Sequence, residues 1–132
     1  MVASVTPNPE PLAGLRILVV EDTLLVADII ADQLESWGCT VVGPAGRVQQ
    51  ALDLASDDTL DGAVLDVKLA GEVSFPIADA LRARQVPFIF LTGYDDLAIF
   101  PPEHRSAPRL AKPFSHHALF QILAAHLNKR DR

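Results

Sequence analysis

The sequence predicts an α/β fold in one domain, a doubly wound parallel sheet with helices on both faces. Three features carry that expectation: short apolar runs without polar alternation, amphipathic stretches of helical period, and strict alternation of the two along the chain. A chain of 132 residues buries ~68% of the surface its unfolded form exposes, enough to fold without a disulfide, a structural metal or a partner. Its 49% hydrophobic content and ordinary charge exclude a wholly disordered chain.

Residues 1–14 hold Pro7, Pro9 and Pro11 at alternate positions. Proline lacks the backbone donor and fixes φ, so 1–14 reads as an extended tail, with the folded domain at 15–129 and a C-terminal tail at 130–132. LRILVVE at 15–21 is nearly continuous Leu, Ile and Val, the composition of a strand covered on both faces. From Thr23 to Trp37 the period changes: Val26, Ile30, Leu34 and Trp37 share a face, with Asp28, Asp32 and Glu35 between them and Gly38 as a C-terminal cap. A weak strand at 39–43 precedes a short helix near 48–56, where Val48, Ala51, Leu52 and Ala55 share a face. DGAVLD at 61–66 is the third strand, followed by a loop and a helix at about 75–84, with Ser74 before it and Pro76 in its first turn. PFIFLT at 87–92 is the fourth and clearest strand. The stretch 95–108, with Pro101, Pro102 and Pro108, leaves room for about one helical turn. A short strand at 109–111 and a helix at about 116–128, with Leu119, Ile122, Leu123 and Leu127 on one face, complete five strands and four or five helices.

Composition narrows the function. With 17 Asp+Glu against 11 Lys+Arg, a formal charge of −6, and no basic cluster before the last few residues, direct nucleic-acid binding is not expected. Cys39 is the single cysteine and reads as a small hydrophobe. The four histidines lack the spacing of a zinc site; His104, His116 and His117 read as solvent-facing and His126 as packed near the apolar face of the last helix. The terminal NKRDR reads as a solvated helix end. No apolar run approaches the ~20 residues of a membrane span. The start lacks the basic leader and apolar stretch of a signal peptide, so no membrane partner and a cytoplasmic location are expected.

Open parallel sheets bind ligands beyond the carboxyl ends of their strands, where the strand order reverses. The residues there are Glu21-Asp22, Gly43, Asp66, Thr92-Gly93-Tyr94 and Lys112-Pro113. Two unit charges about 4 Å apart interact by ~4 kcal/mol at an effective dielectric near 20, so three clustered carboxylates need protons or a cation. An open all-oxygen site suits Mg²⁺, which keeps several waters and accepts phosphate ligands. Lys112 supplies a fixed positive charge for a phosphoryl oxygen, Thr92 a hydroxyl, and Gly93 backbone room. Phosphoryl transfer asks little beyond positioning and charge neutralisation, and a carboxylate nucleophile, Mg²⁺ and a lysine suffice.

From about Leu15 to Asn128 the sequence resembles the receiver domain of two-component response regulators. The resemblance rests on Glu21-Asp22 after strand one, Asp66 after strand three, Thr92 after strand four and Lys112-Pro113-Phe114 after strand five. It implies a flavodoxin-like (βα)5 sandwich of strand order 2-1-3-4-5. Asp66 would be the phosphoacceptor, taking a phosphoryl group from a phosphohistidine on a sensor histidine kinase or a histidine phosphotransfer protein. Glu21, Asp22, Asp66 and the backbone carbonyl of Lys68 would bind Mg²⁺. Thr92, Gly93 and Lys112 would hold the phosphoryl group, Thr92 and Tyr94 would act as the switch, and the peptide before Pro113 would be a candidate for the cis form. The implied output is a changed interaction surface for a downstream protein target, or a phosphorylation-dependent dimer, with no turnover enzyme and no output domain after the last helix.

Two departures stand out. Many receivers carry Tyr or Phe three residues before the lysine, where this chain has Arg109, and the aromatic appears instead at Tyr94 in PFIFLTGYDD. That pattern, with LDVKLAGEVSFPIADAL at 65–81, is similar to an alphaproteobacterial receiver subgroup with a Phe-x-Thr-Gly-Tyr motif and an unusual fourth helix. The subgroup often has Asn at the position of Lys68. Each residue also has a plainer role: Asp22 as a cap of the helix after it, Asp66 as a solvated strand-end acid, Lys112 as a surface lysine, Thr92 as a turn residue, and Tyr94 as a lid on the core. Alternatives at the level of the whole chain are a phosphate sink or shuttle in a phosphorelay, a receiver segment of a hybrid kinase, and a pseudo-receiver independent of phosphorylation. More distant is an aspartate-nucleophile phosphohydrolase, which would need an acid where Lys68 stands.

Overall fold

The structure is a computed structural model that describes residues 10–128. In chain order it contains β1 (Arg16–Val20), α1 (Leu24–Ser36), β2 (Thr40–Ala45), α2 (Val48–Ala55), β3 (Gly62–Asp66), β4 (Lys68–Leu69), β5 (Glu72–Val73), α3 (Phe75–Ala83), β6 (Phe88–Thr92), β7 (Arg109–Ala111) and α4 (His116–His126), with 3₁₀ turns at Glu10–Leu12, Asp96–Ile99 and Pro102–His104. Five parallel strands form one sheet in the order β2-β1-β3-β6-β7, and β4 and β5 pair apart from it as a small antiparallel hairpin. Counted within the main sheet alone, this is the 2-1-3-4-5 order of a flavodoxin-like fold. The order reverses between β1 and β3, which puts the ligand crevice beyond Val20 and Asp66.

The absence of polar alternation in the strands has a direct cause: both faces of the sheet are covered. Leu18 and Val20 of β1 point with Ala63, Leu65, Phe88 and Phe90 toward α2 and α3, while Ile17 and Val19 point with Val64, Ile89 and Leu91 toward α1 and α4. Each of these side chains larger than alanine, removed from water, contributes ~1.5–3 kcal/mol. Helix α1 buries Ala27, Ile30 and Leu34 on that face. It ends where Gly38 takes φ +87, and the Gly38 and Cys39 amides donate to the Glu35 and Leu34 carbonyls. Gly62 is needed for a different reason: a Cβ there would lie 2.6 Å from Cδ1 of Leu127, the residue that seals the end of α4 against β3. A residue larger than glycine at 62 would force the Leu127 side chain out of its present position against β3.

Three expectations need correction. Residues 10–14 are not extended tail: Glu10–Leu12 form a 3₁₀ turn, and Leu12 is fully buried, its carbonyl accepting from the Cys39 thiol at 3.4 Å. Burial pushes that thiol up to about 11, in keeping with its role as a small hydrophobe. Residues 1–9 of the tail and 129–132 at the other end lie outside the described residues.

The second correction concerns 95–108, which holds two 3₁₀ turns rather than one helical turn, so among the described residues the main helices number four. Proline at 101, 102 and 108 removes donors, and Phe100 anchors the segment from below, its ring 4.9 Å from Phe90 and 5.1 Å from Phe75.

The third concerns the histidines. His104 is fully buried, stacked on Phe75 and bonded through Nε2 to Asp79 Oδ1 at 2.7 Å, whereas His126 is exposed. The apolar face of α4 is carried by Leu119, Phe120 and Leu123, and at the end of the helix the residue that turns inward is Leu127, the one after His126. Among the described residues no helix is long and apolar enough to cross a membrane.

Candidate functional site

Strand ends deliver the polar groups to one crevice. Glu21 and Asp22 follow β1, the Glu21 amide extending the ladder to the Ala45 carbonyl at 2.9 Å. Asp66 is the last residue of β3 and pairs with Leu91 of β6, so Thr92 at the end of β6 is one step beyond it. The Lys112 amide donates to the Thr92 carbonyl at 2.8 Å, carrying the β6–β7 pairing to the point where Lys112 can turn inward. The Lys112–Pro113 peptide is cis, as is Gly43–Pro44 at the end of β2.

There the Lys112 ammonium lies 2.9 Å from Asp66 Oδ1 and 3.0 Å from Glu21 Oε1. Glu21 Oε2 accepts from the Thr23 amide at 3.1 Å, and Asp66 Oδ1 also accepts from the Val67 amide at 3.1 Å. Asp22 is exposed, and its Oδ2 accepts from the Ala70 amide at 2.8 Å in the β4–β5 turn. It therefore does not cap α1, whose N-cap is Thr23. One oxygen from each of Glu21, Asp22 and Asp66 falls within 4.8 Å of the others.

Three carboxylates face one ammonium. Burial pushes the Asp66 carboxyl up to about 7; the Lys112 hydrogen bond opposes the rise and the charge of Glu21 adds to it. Burial works against the Lys112 ammonium too, but its hydrogen bonds to Asp66 and Glu21 outweigh that and hold its pKa above the usual lysine value. A cluster with more negative charge than one lysine can answer, built of oxygens and open on the Asp22 side, fits a divalent cation of the Mg²⁺ type.

The other residues singled out in the sequence lie around this centre. Thr92 is buried at the crevice wall. Tyr94 is 99% exposed and is no lid on the core. Lys68 stands two residues after Asp66, at the start of β4, and its side chain reaches Asp96 at 3.5 Å. The Gly93 amide donates to Asp96 Oδ2 at 2.6 Å. Sequence reading passed over Asp96; the only signal was the second acid of the GYDD run.

Comparison with known proteins agrees with this geometry. Residues 17–124 match the response regulator receiver domain. The chain is 33% identical over 112 residues to the sensory transduction protein LytT of Bacillus subtilis, covering 83% of this chain and 46% of LytT. It thus spans about half the length of the curated relatives it matches. The solution structure of SdrG from Sphingomonas melonis Fr1 is 42% identical, with a TM-score of 0.75, covering 85% of this chain and 95% of SdrG. SdrG has also been solved in a BeF3-activated conformation. The receiver domain of sensor histidine kinase PA1611 from Pseudomonas aeruginosa, 28% identical with a TM-score of 0.70 over 86% of this chain and 97% of that one, holds a magnesium ion in its active site cleft. Sheet order, strand-end acids and sequence match agree: the chain belongs to the response regulator receiver domain family of two-component signalling.

Proposed function

We propose that the protein accepts a phosphoryl group on Asp66 from a phosphohistidine of a sensor histidine kinase or a histidine phosphotransfer protein, and thereby changes a surface read by a downstream protein. The observation that carries this reading is the Lys112 ammonium held between Asp66 and Glu21, 2.9 and 3.0 Å away, with the Asp22 carboxylate beside them. An Asp66 carboxylate oxygen attacks phosphorus; the P–O bond forms as the P–N bond breaks, and the electron pair leaves on the imidazole nitrogen. Lys112 already contacts the nucleophile, so its charge is in place as the phosphoryl oxygens arrive. The Thr92 hydroxyl and the Gly93 amide would donate to those oxygens. Glu21, Asp22, Asp66 and the Lys68 carbonyl would hold Mg²⁺, which supplies neutralisation of phosphoryl charge when bound.

The donor needs a surface to dock on, and one adjoins the crevice. Leu24, Leu25 and Ile29 on the first turns of α1 are exposed immediately after Glu21-Asp22, an apolar patch suited to a helical partner. A phosphohydrolase is the weaker reading, because Lys68 occupies the position two residues after the nucleophile where a general acid is required. The protein is then an acceptor that switches rather than an enzyme that turns over substrate, and it acts in the cytoplasm, with its donor.

Acetyl phosphate with Mg²⁺ tests the assignment by intact mass. The unsubstituted chain is expected to gain one phosphoryl group and Asp66→Asn none; equal gain in both would overturn it.

A further inference from the structure

The Asp96 carboxylate is 5% exposed, although it lies in the short 3₁₀ turn of a segment otherwise open to water. Two donors hold it there: the Gly93 amide at 2.6 Å from Oδ2 and the Lys68 ammonium at 3.5 Å from Oδ1. The first is short for an amide donor, as charge-assisted bonds are. Both donors flank Asp66. Gly93 follows Thr92 at the end of β6, beside the end of β3, and Lys68 is two residues beyond Asp66 itself.

We infer that Asp96 stands in for the phosphoryl group in the unmodified protein, occupying the Gly93 amide and the Lys68 ammonium until a modified Asp66 draws both away. This rests on the phosphoacceptor reading above and adds its means of transmission. A phosphoryl group on Asp66 brings close to two negative charges and three acceptor oxygens into reach of the same donors. Asp96 then keeps its burial and loses its partners, a costly state for a carboxylate, so the turn that carries it moves outward. Tyr94 lies between Gly93 and Asp96, and Leu97 and Ile99 lie on the turn; all three are exposed apolar groups. The exchange of anions at Gly93 therefore repositions these three exposed side chains, which is the change a protein partner would read. The Gly93–Asp96 bond could also serve only to shape a tight turn, and the test separates the two roles.

The experiment is a titration of the full chain with beryllofluoride and Mg²⁺, followed by amide NMR, on the unsubstituted protein, Asp96→Asn and Asp66→Asn. In the unsubstituted protein the Gly93 amide is expected to resonate downfield and to shift on titration together with the amides of 94–99. Asp96→Asn is expected to bind about five- to tenfold more tightly, because no anion has to be displaced. A folded Asp96→Asn that binds no more tightly than the unsubstituted chain overturns the inference and leaves the phosphoacceptor reading standing. Should Asp96→Asn not fold, the Gly93 amide of the unsubstituted chain decides, and one that stays in place on titration overturns the inference. An unsubstituted chain that responds no more than Asp66→Asn overturns the phosphoacceptor reading, and the inference with it.

Discussion

Lys112 Nζ lies 2.9 Å from Asp66 Oδ1 and 3.0 Å from Glu21 Oε1, and among the described residues it is the one cation paired with the cluster of Glu21, Asp22 and Asp66. Removing it leaves two buried carboxylates facing each other, which is worse than removing an acid. Lys112→Met is expected to lose ~3 kcal/mol of stability, the scale seen when one partner of a buried pair is deleted. Asp66→Asn keeps the Lys112–Glu21 pair and relieves repulsion, so it is expected to be at least as stable as the unsubstituted chain. Urea unfolding in EDTA compares the three; a harmless Lys112→Met would show that the acids are neutralised by other means.

A cation that binds the folded cluster and not the unfolded chain must stabilise the fold. At a hundredfold excess over its dissociation constant, Mg²⁺ is expected to add ~2.7 kcal/mol and to raise the melting temperature by several degrees. Asp22→Asn keeps an acceptor for the Ala70 amide but removes an exposed charge from the cluster. Its thermal shift with Mg²⁺ is expected to shrink, and an undiminished shift would remove Asp22 from the metal site.

Acid sensitivity has a source at the opposite end of the sheet. Asp57 accepts from the Thr59 hydroxyl at 2.6 Å and the Thr59 amide at 2.8 Å, and from the Arg16 guanidinium at 3.1 Å. The Thr59 bonds, with Arg16 behind them, hold its carboxyl at about 2 against an ordinary 3.8. A depressed folded-state pKa means the stabilisation is whole above 3.8 and fades as pH falls through about 2. The stability gap between the unsubstituted chain and Asp57→Asn, measured by urea unfolding, is expected to be flat from neutrality to that window and to close within it. Salt should narrow it throughout, because the pair is partly exposed. Parallel acid limbs would show that the network contributes nothing.

His104 separates stacking from hydrogen bonding. Its ring stacks on Phe75 with centroids 5.9 Å apart and meets Phe88 and Phe90 edge-on, while Nδ1 is buried with no hydrogen-bond partner among the described residues. His104→Ala opens a cavity and is expected to cost ~2–4 kcal/mol. His104→Phe keeps the stack, frees an exposed Asp79 to be hydrated and removes the unpaired nitrogen, so its cost should stay within ~1 kcal/mol. Thermal unfolding of both variants checks this; equal losses would put the Asp79 bond above the aromatic contacts.

Residues such as His104 also mark where sequence stops being informative. β1, α1 and β6 were legible because their patterns are local: apolar continuity for a sheet covered on both sides, a 3.6-residue period for a helix on one face. The convergence of Glu21, Asp22, Asp66 and Lys112 was legible because parallel topology sends every strand end to the same edge. His104 and Asp96 were not, since 95–108 has no period of its own. Its shape comes from three prolines and from Phe100 seated among Phe75 and Phe90, contacts distant in sequence. Leu12 was missed for the same reason: its carbonyl's bond to Cys39 spans 27 residues of separation, and a proline-rich stretch by itself reads as tail.

Docking and chemistry can be parted on α1. Leu25 is 70% exposed, flanked by Leu24 and Ile29, and follows the acidic pair by three residues. A small donor such as acetyl phosphate needs only the crevice, whereas a phosphohistidine on a protein must bring a surface with it, and an apolar patch is where such a surface gains affinity. Leu25→Glu is expected to change stability by no more than ~0.5 kcal/mol, as exposed substitutions do. Modification by acetyl phosphate should be unaffected, while transfer from a phosphorylated histidine phosphotransfer domain should slow about tenfold, through one lost contact of ~1.4 kcal/mol. Equal loss with both donors would assign Leu25 to the crevice itself, and unchanged transfer would remove α1 from the donor interface.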